Sequence, residues 1–134
     1  MQIQTVYPDT WQATRGVMAP AKKIDFGNAY LIFVSGQQAK KNDNNEVFTD
    51  DIEAQTEDVF QQINEILKAA GVGMEHVVKA VLYFTDLKSD FKKVSAVRDK
   101  WFADCNPVST CVDCDGFSRK GAKIEIEVTA VKEK

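Results

Sequence analysis

Histidine occurs once in these 134 residues, as His76, and cysteine only three times, all within DCNPVSTCVDCDG at 104–116. That scarcity excludes most metal and thiol constellations. A zinc site needs four converging ligands, and Cys105, Cys111, Cys114 and His76 are the only soft ones present. The cysteine count is odd, and the three are not spread as a disulfide framework would be. Long apolar runs are missing too. The longest, AYLIFV, is far short of the roughly 20 residues of a membrane span. A basic excess is also absent: 17 Lys and Arg stand against 20 Asp and Glu, a net charge of −3. That argues against a nucleic-acid-binding face. The opening MQIQTVYPDTW has no basic segment leading into an apolar one, so no signal peptide is expected and the cytosol is the expected compartment.

The composition that remains is ordinary for a globular chain, 44% hydrophobic and 28% charged. A chain of this length is expected to form one domain over 1–134. It can bury roughly two-thirds of its unfolded surface without a metal or disulfide staple.

There is no internal repeat and no low-complexity tract. QIQTVY and KKIDF read as short strands, and AYLIFVSGQ as a strand with both faces buried, stopping at Ser35-Gly36-Gln37. KKNDNNE is a loop by composition. Residues 51–70 carry helical spacing through Ile52, Phe60, Ile63, Leu67 and Ala70. Asp50 with Glu53 suggests a capping box, and Gly71 a stop. HVVKAVLYFT is a strand, and Ser89 offers an N-cap for a second helix with Phe91, Val94, Val97 and Trp101 on its apolar face. AKIEIEVTAV alternates strictly, so Ile124, Ile126, Val128 and Ala130 face one way while Glu125 and Glu127 face the other. The order β-β-β-α-β-α-β-β predicts an α+β domain, a mixed sheet with two helices packed on one face. The opposite face, where apolar, needs a partner, so an oligomer is expected.

The cysteine stretch reads as a strand over STCVDC. Residues three apart on a strand project to opposite faces about 10 Å apart, too far for a chelate or a disulfide. No metal site is predicted. Cys105 and Cys114 read as small core hydrophobes, and Cys111 is expected in a different environment from Cys114. A Cys111–His76 nucleophile pair is conceivable, but nothing in the spacing requires it.

Taken in order, SGQ after an apolar strand, the helix ending in KAAG, VVKAVLYFTDLKSDF and NPVSTCVDCDGFSRKGAKIEIEVTAV resemble the RidA/YjgF family, also called L-PSP or endoribonuclease-like. The likeness runs from about Gly16 to Val131, with one-residue insertions, and rests on the ordered set rather than on one motif. It implies a chorismate-mutase-like fold and a homotrimer with a small-molecule metabolite bound in clefts between subunits. It implies no metal and no organic cofactor. The best-known members hydrolyse reactive imines and enamines to keto acids and ammonia.

Carried over residue by residue, the family's cleft glutamate falls on Glu125, in the role of holding or activating the attacking water. The plain reading of Glu127, two residues on, is a solvated glutamate. The Ser-Gly pair lining the cleft falls on Ser35 and Gly36, and the cleft cysteine on Cys111. Three positions depart. A carboxylate-binding arginine of the deaminase-type members is replaced by Ser109, a tyrosine by Met18, and an asparagine of the second helix by Ser95. Loss of the arginine removes two charge-assisted hydrogen bonds to a carboxylate. Arg15, Arg98, Arg119 and Lys120 are the candidates to compensate.

Three activities compete. The first is a hydrolase of small imines or enamines, slowed by Ser109. The second is a metabolite-binding trimer without turnover. The third is a ribonuclease or translation inhibitor, ranked last because the pI is near 5.2 and no His or Lys constellation for phosphodiester chemistry is present.

Overall fold

The structure is a computed structural model, and it describes residues 1–11 and 18–134. The strands are β1 (Gln2–Val6), β2 (Ala21–Asp25), β3 (Ala29–Gln37), β4 (Val77–Phe84), β5 (Val108–Asp113) and β6 (Ile124–Glu133). Two helices, α1 (Ile52–Ala69) and α2 (Leu87–Trp101), interrupt them, with a 3-10 turn at Met74–His76 before β4. The six strands form one sheet in the order β1-β2-β3-β6-β4-β5. Only β4 and β5 run parallel, because α2 carries the chain back between them. This is the α+β mixed sheet with two helices that the strand and helix order predicts.

One face of the sheet presents Ile32, Val34, Ala80, Leu82, Phe84, Ile124, Ile126 and Val128, all buried. Against them α1 lays Val59, Phe60, Ile63, Ile66 and Leu67, which have no exposed surface. Phe60 joins the two helices, stacked on Trp101 at 5.8 Å and edge-on to Phe102 at 5.2 Å. The stop at Gly71 is a Schellman-type end. Gly71 takes φ +80°, and Val72 N–H donates to Leu67 O at 3.0 Å.

Four local expectations shift. The N-cap of α1 is Asp51, not Asp50; its carboxylate accepts from Glu53 N–H at 3.1 Å, because burying Ile52 sets where the helix starts. For α2 the cap is Asp86, whose carboxylate accepts from the Ser89 N–H at 3.3 Å, so Ser89 is the residue capped rather than the cap. Phe91 does not belong to the buried stripe of α2; it is 43% exposed. β3 is not buried on both faces either, since Phe33 is 48% exposed and Ser35 and Gly36 lie open.

That open sheet face is ordered in rows set by the strand register. Ile3, Ile24, Leu31 and Val131 align across β1, β2, β3 and β6. Glu125, Tyr83 and Val112 align across β6, β4 and β5. Among the described residues no helix is long and apolar enough to cross a membrane.

Candidate functional site

The site begins with an irregularity in β3. Val34 pairs with Val128 and Gln37 with Ile126, so β3 spends one more residue than β6 between these pairs. That is a β-bulge, which bends the strand and re-aims the side chains beyond it. Ser35 is tied down by its own N–H and hydroxyl, which donate to Pro20 O at 2.9 and 3.1 Å. Gly36 then lies beneath the side chain of Glu125. A Cβ at position 36 would sit 2.8 Å from Glu125 Cδ and Oε2, so only glycine lets the carboxylate settle there.

Ser35, Gly36 and Glu125 therefore share one concavity of about 630 Å3, with Trp11, Met18, Gln38 and Arg119 on its walls. Met18, where the family has tyrosine, is 77% exposed at the rim. Arg15, Gly16 and Val17 lie outside the described residues.

Gln38 and Arg119 are among the residues of this concavity that the sequence does not assign to it. Gln38 Nε2 donates to Glu125 Oε1 at 2.9 Å and to Ser118 Oγ at 3.1 Å, while its Oε1 accepts from Arg119 N–H at 3.1 Å. Arg119 enters the sequence reading only as a stand-in for the lost arginine. Its guanidinium instead donates to the carbonyls of Gln38 and Ala39 at 3.1 and 2.7 Å. Burial pulls the Arg119 pKa below its ordinary value, opposed by the charges of Asp58 and Glu125. The one sequence signal for Gln38 is its place directly after Ser-Gly-Gln.

The other candidate residues gather elsewhere. Ser109 opens on a second concavity of about 540 Å3 with Arg98, Asp99, Phe102, Asn106 and Pro107. Asn106 takes φ +46°, a left-handed conformation that asparagine tolerates, and Pro107 leads into β5. Arg98 is thus a compensating candidate that shares this concavity with Ser109, with its Nε–H donating to Asp99 Oδ1 at 3.1 Å.

Ser95 and Cys111 line neither concavity. The Ser95 hydroxyl is buried and has no partner among the described residues, a cost carried within α2. Cys111 pairs with Leu82 in the parallel register and packs half-buried against the main core. Within one chain it is therefore a packing residue.

Cys114 falls one residue beyond β5 and is not among the residues packed on the core, whereas Cys105 is. Burial, then the charge of Asp104, pushes the Cys105 thiol pKa up, so it is a poor nucleophile. All three thiols are free, and no group of three or more His, Cys, Asp or Glu among the described residues is placed to hold a metal ion. His76 caps the turn before β4: its Nδ1 accepts from Gly73 N–H at 3.0 Å. Glu75 Oε1 lies 3.5 Å from the same nitrogen.

Comparison with known proteins gives a consistent result. The model of the family described as Endoribonuclease L-PSP matches residues 22–132. A RutC family protein of Pyrococcus abyssi is 33% identical over 124 residues, covering 92% of this chain and 94% of that one. Among solved structures, a Thermotoga maritima protein provisionally described as an endoribonuclease superposes with a TM-score of 0.83 at 31% identity, over 100% of both chains. RidA from an Antarctic Psychrobacter gives a TM-score of 0.77 at 31% identity, over 95% of this chain and 98% of that one.

Proposed function

Because the chain belongs to the endoribonuclease L-PSP family, the RidA/YjgF family, we propose that it is a hydrolase of small imines or enamines. The carrying observation is the Glu125 carboxylate, settled over Gly36 and aimed into a cavity large enough for a metabolite. A carboxylate so held accepts a hydrogen bond from water and can take its proton. Water adds to the C=N carbon and its proton passes by way of Glu125 to nitrogen. Collapse of the resulting carbinolamine releases ammonia and leaves the carbonyl compound.

Glu125 and Ser109 line different concavities of one chain, which supports a homotrimer whose clefts each take one half from neighbouring copies. The partly exposed row of Ile3, Ile24, Leu31 and Val131 supplies apolar surface for that assembly. Ser109 provides one neutral hydrogen bond where a guanidinium would provide two charged ones. A charged hydrogen bond contributes about 1.5 to 3 kcal/mol, so turnover of carboxylate-bearing imines is roughly one to two decades below that of an arginine-bearing relative. One observation favours the second reading, a metabolite-binding trimer without turnover: Arg98, the positive charge beside Ser109, is paired with Asp99.

The test couples threonine dehydratase, which supplies the enamine and imine, to measurement of keto-acid release with and without this protein. Acceleration that disappears in Glu125→Gln supports the hydrolase. No acceleration at stoichiometric protein removes it in favour of the binding reading. A monomeric mass by light scattering at micromolar concentration removes the shared cleft.

A further inference from the structure

We propose that Gln38 is the positioning residue of this site: it clamps one oxygen of the Glu125 carboxylate and leaves the other to act. The inference rests on the reading of Glu125 as the group that engages water.

Its first support is that the Gln38 amide can be oriented in only one way. The Arg119 backbone N–H points at it from 3.1 Å, and only the carbonyl oxygen of the amide can accept that hydrogen. The NH2 group must then face Glu125 Oε1 at 2.9 Å and Ser118 Oγ at 3.1 Å, one hydrogen for each. Both amide hydrogens and the carbonyl oxygen are engaged, and the bond to Glu125 is a charge-assisted one.

The second support is that the clamp itself is anchored. The carbonyl of residue 38 accepts from Gln62 Nε2 at 2.8 Å and from the Arg119 guanidinium at 3.1 Å. Gln62 is a buried residue of α1 and also donates to Asp58, which in turn accepts from Lys40 N–H, each at 2.8 Å. The rigid helix therefore fixes residues 38–40, and residue 38 fixes the carboxylate. Neighbouring Gln37 plays no part in this clamp. Its amide turns back onto Ser35 O at 2.9 Å and stays buried in the bulge.

The third support is what remains of the carboxylate. Oε1 is taken by Gln38, and Oε2 lies over Gly36 and accepts no hydrogen bond from another side chain among the described residues. Oε2 is the oxygen left to hold water. A neutral amide does this without cancelling the negative charge of Glu125, which a lysine or arginine at position 38 would do.

The experiment uses the full chain with Gln38→Met, which keeps length and removes the donor, together with Glu125→Gln and the double variant. In the coupled assay Gln38→Met is expected to lower kcat about tenfold to hundredfold with KM within about threefold, the pattern of lost positioning rather than lost binding. The double variant should be no slower than Glu125→Gln alone. Unchanged kcat, or losses that multiply, would overturn the proposal. A second readout needs no turnover: the Gln38 side-chain amide resonances in a 15N–1H spectrum should shift in Glu125→Gln. If those resonances do not move, the clamp does not exist. If the wild-type chain turns nothing over, the hydrolase reading fails and these resonances alone decide the clamp.

Discussion

The two concavities of this chain differ in how finished they are. Around Glu125 the polar groups are interlocked: the Gln38 amide is held by Arg119, Ser118 and Glu125, and the residue 38 carbonyl by Gln62 and Arg119. The bulge, α1 and the loop before β6 all converge there. Around Ser109 the walls come from the end of α2 and the first residues of β5, an edge strand, and the one strong charge is paired with its sequence neighbour Asp99. On the hydrolase reading proposed above, the first is preorganised to steer a proton, and preorganisation is where catalytic electrostatics are strongest. On the same reading the second is the binding wall, whose chemistry a single substitution can rewrite.

The largest effect expected from breaking this contrast is on the Glu125 side. Glu125→Gln keeps the shape and removes the base, so keto-acid release should fall by about a hundredfold to ten-thousandfold, with the melting temperature unchanged. An equally active Glu125→Gln variant would mean the finished half is structural only.

Next comes the open half. Ser109→Arg should raise turnover of a carboxylate-bearing imine by about tenfold to a hundredfold and leave a carboxylate-free imine unaffected. A gain on both substrates would show that the arginine acts by some route other than anion binding.

Gly36→Ala tests the approach of the two strands at the bulge. The new Cβ meets the end of a flexible side chain rather than backbone, so the fold should survive with little change in melting temperature. The carboxylate must move, and a rate loss of about tenfold is expected from misplacement alone. Cooperative loss of the fold instead would show that the glycine is required by the backbone.

The smallest effect concerns Tyr83, which shares a row with Glu125 but donates to Glu127 Oε1 at 2.5 Å. This bond first, then burial and the Glu127 charge, raises the phenol pKa above its ordinary value of about 10. A raised folded pKa gives stability that is whole below the unfolded value and is lost as pH rises through the folded one. Urea midpoints should therefore decline above pH about 10 in the wild type and less steeply in Tyr83→Phe. Parallel slopes in the two proteins would show that the pair is not coupled to folding. The contact also corrects the plain reading of Glu127, which is partnered rather than merely solvated.

Periodicity and composition carry far in this protein because its elements are locally consistent. The strict alternation of 123–130 fixes which side chains of β6 enter the core, and the apolar spacing from Ile52 to Leu67 fixes the buried face of α1. The scarcity of histidine, of clustered ligands and of long apolar runs argues against most metal and membrane chemistry. The ordered likeness to a known family locates Glu125, Ser35 and Gly36, which the fold does bring together. Sequence alone could not show that Cys111 packs on the core or that Ser95 lines neither cavity, because strand and helix faces are assigned only when a neighbouring element covers them. Nor could it show that Gln38 and not Gln37 reaches Glu125: one extra residue in β3 reverses which side chain faces which way, and that residue is visible only in the pairing with β6. The order of elements, the core and the acidic residue of the site are all legible along the chain. The partners of that residue emerge only on folding, because hydrogen bonds between positions 38, 118, 119 and 125 depend on distances that no spacing along the chain encodes.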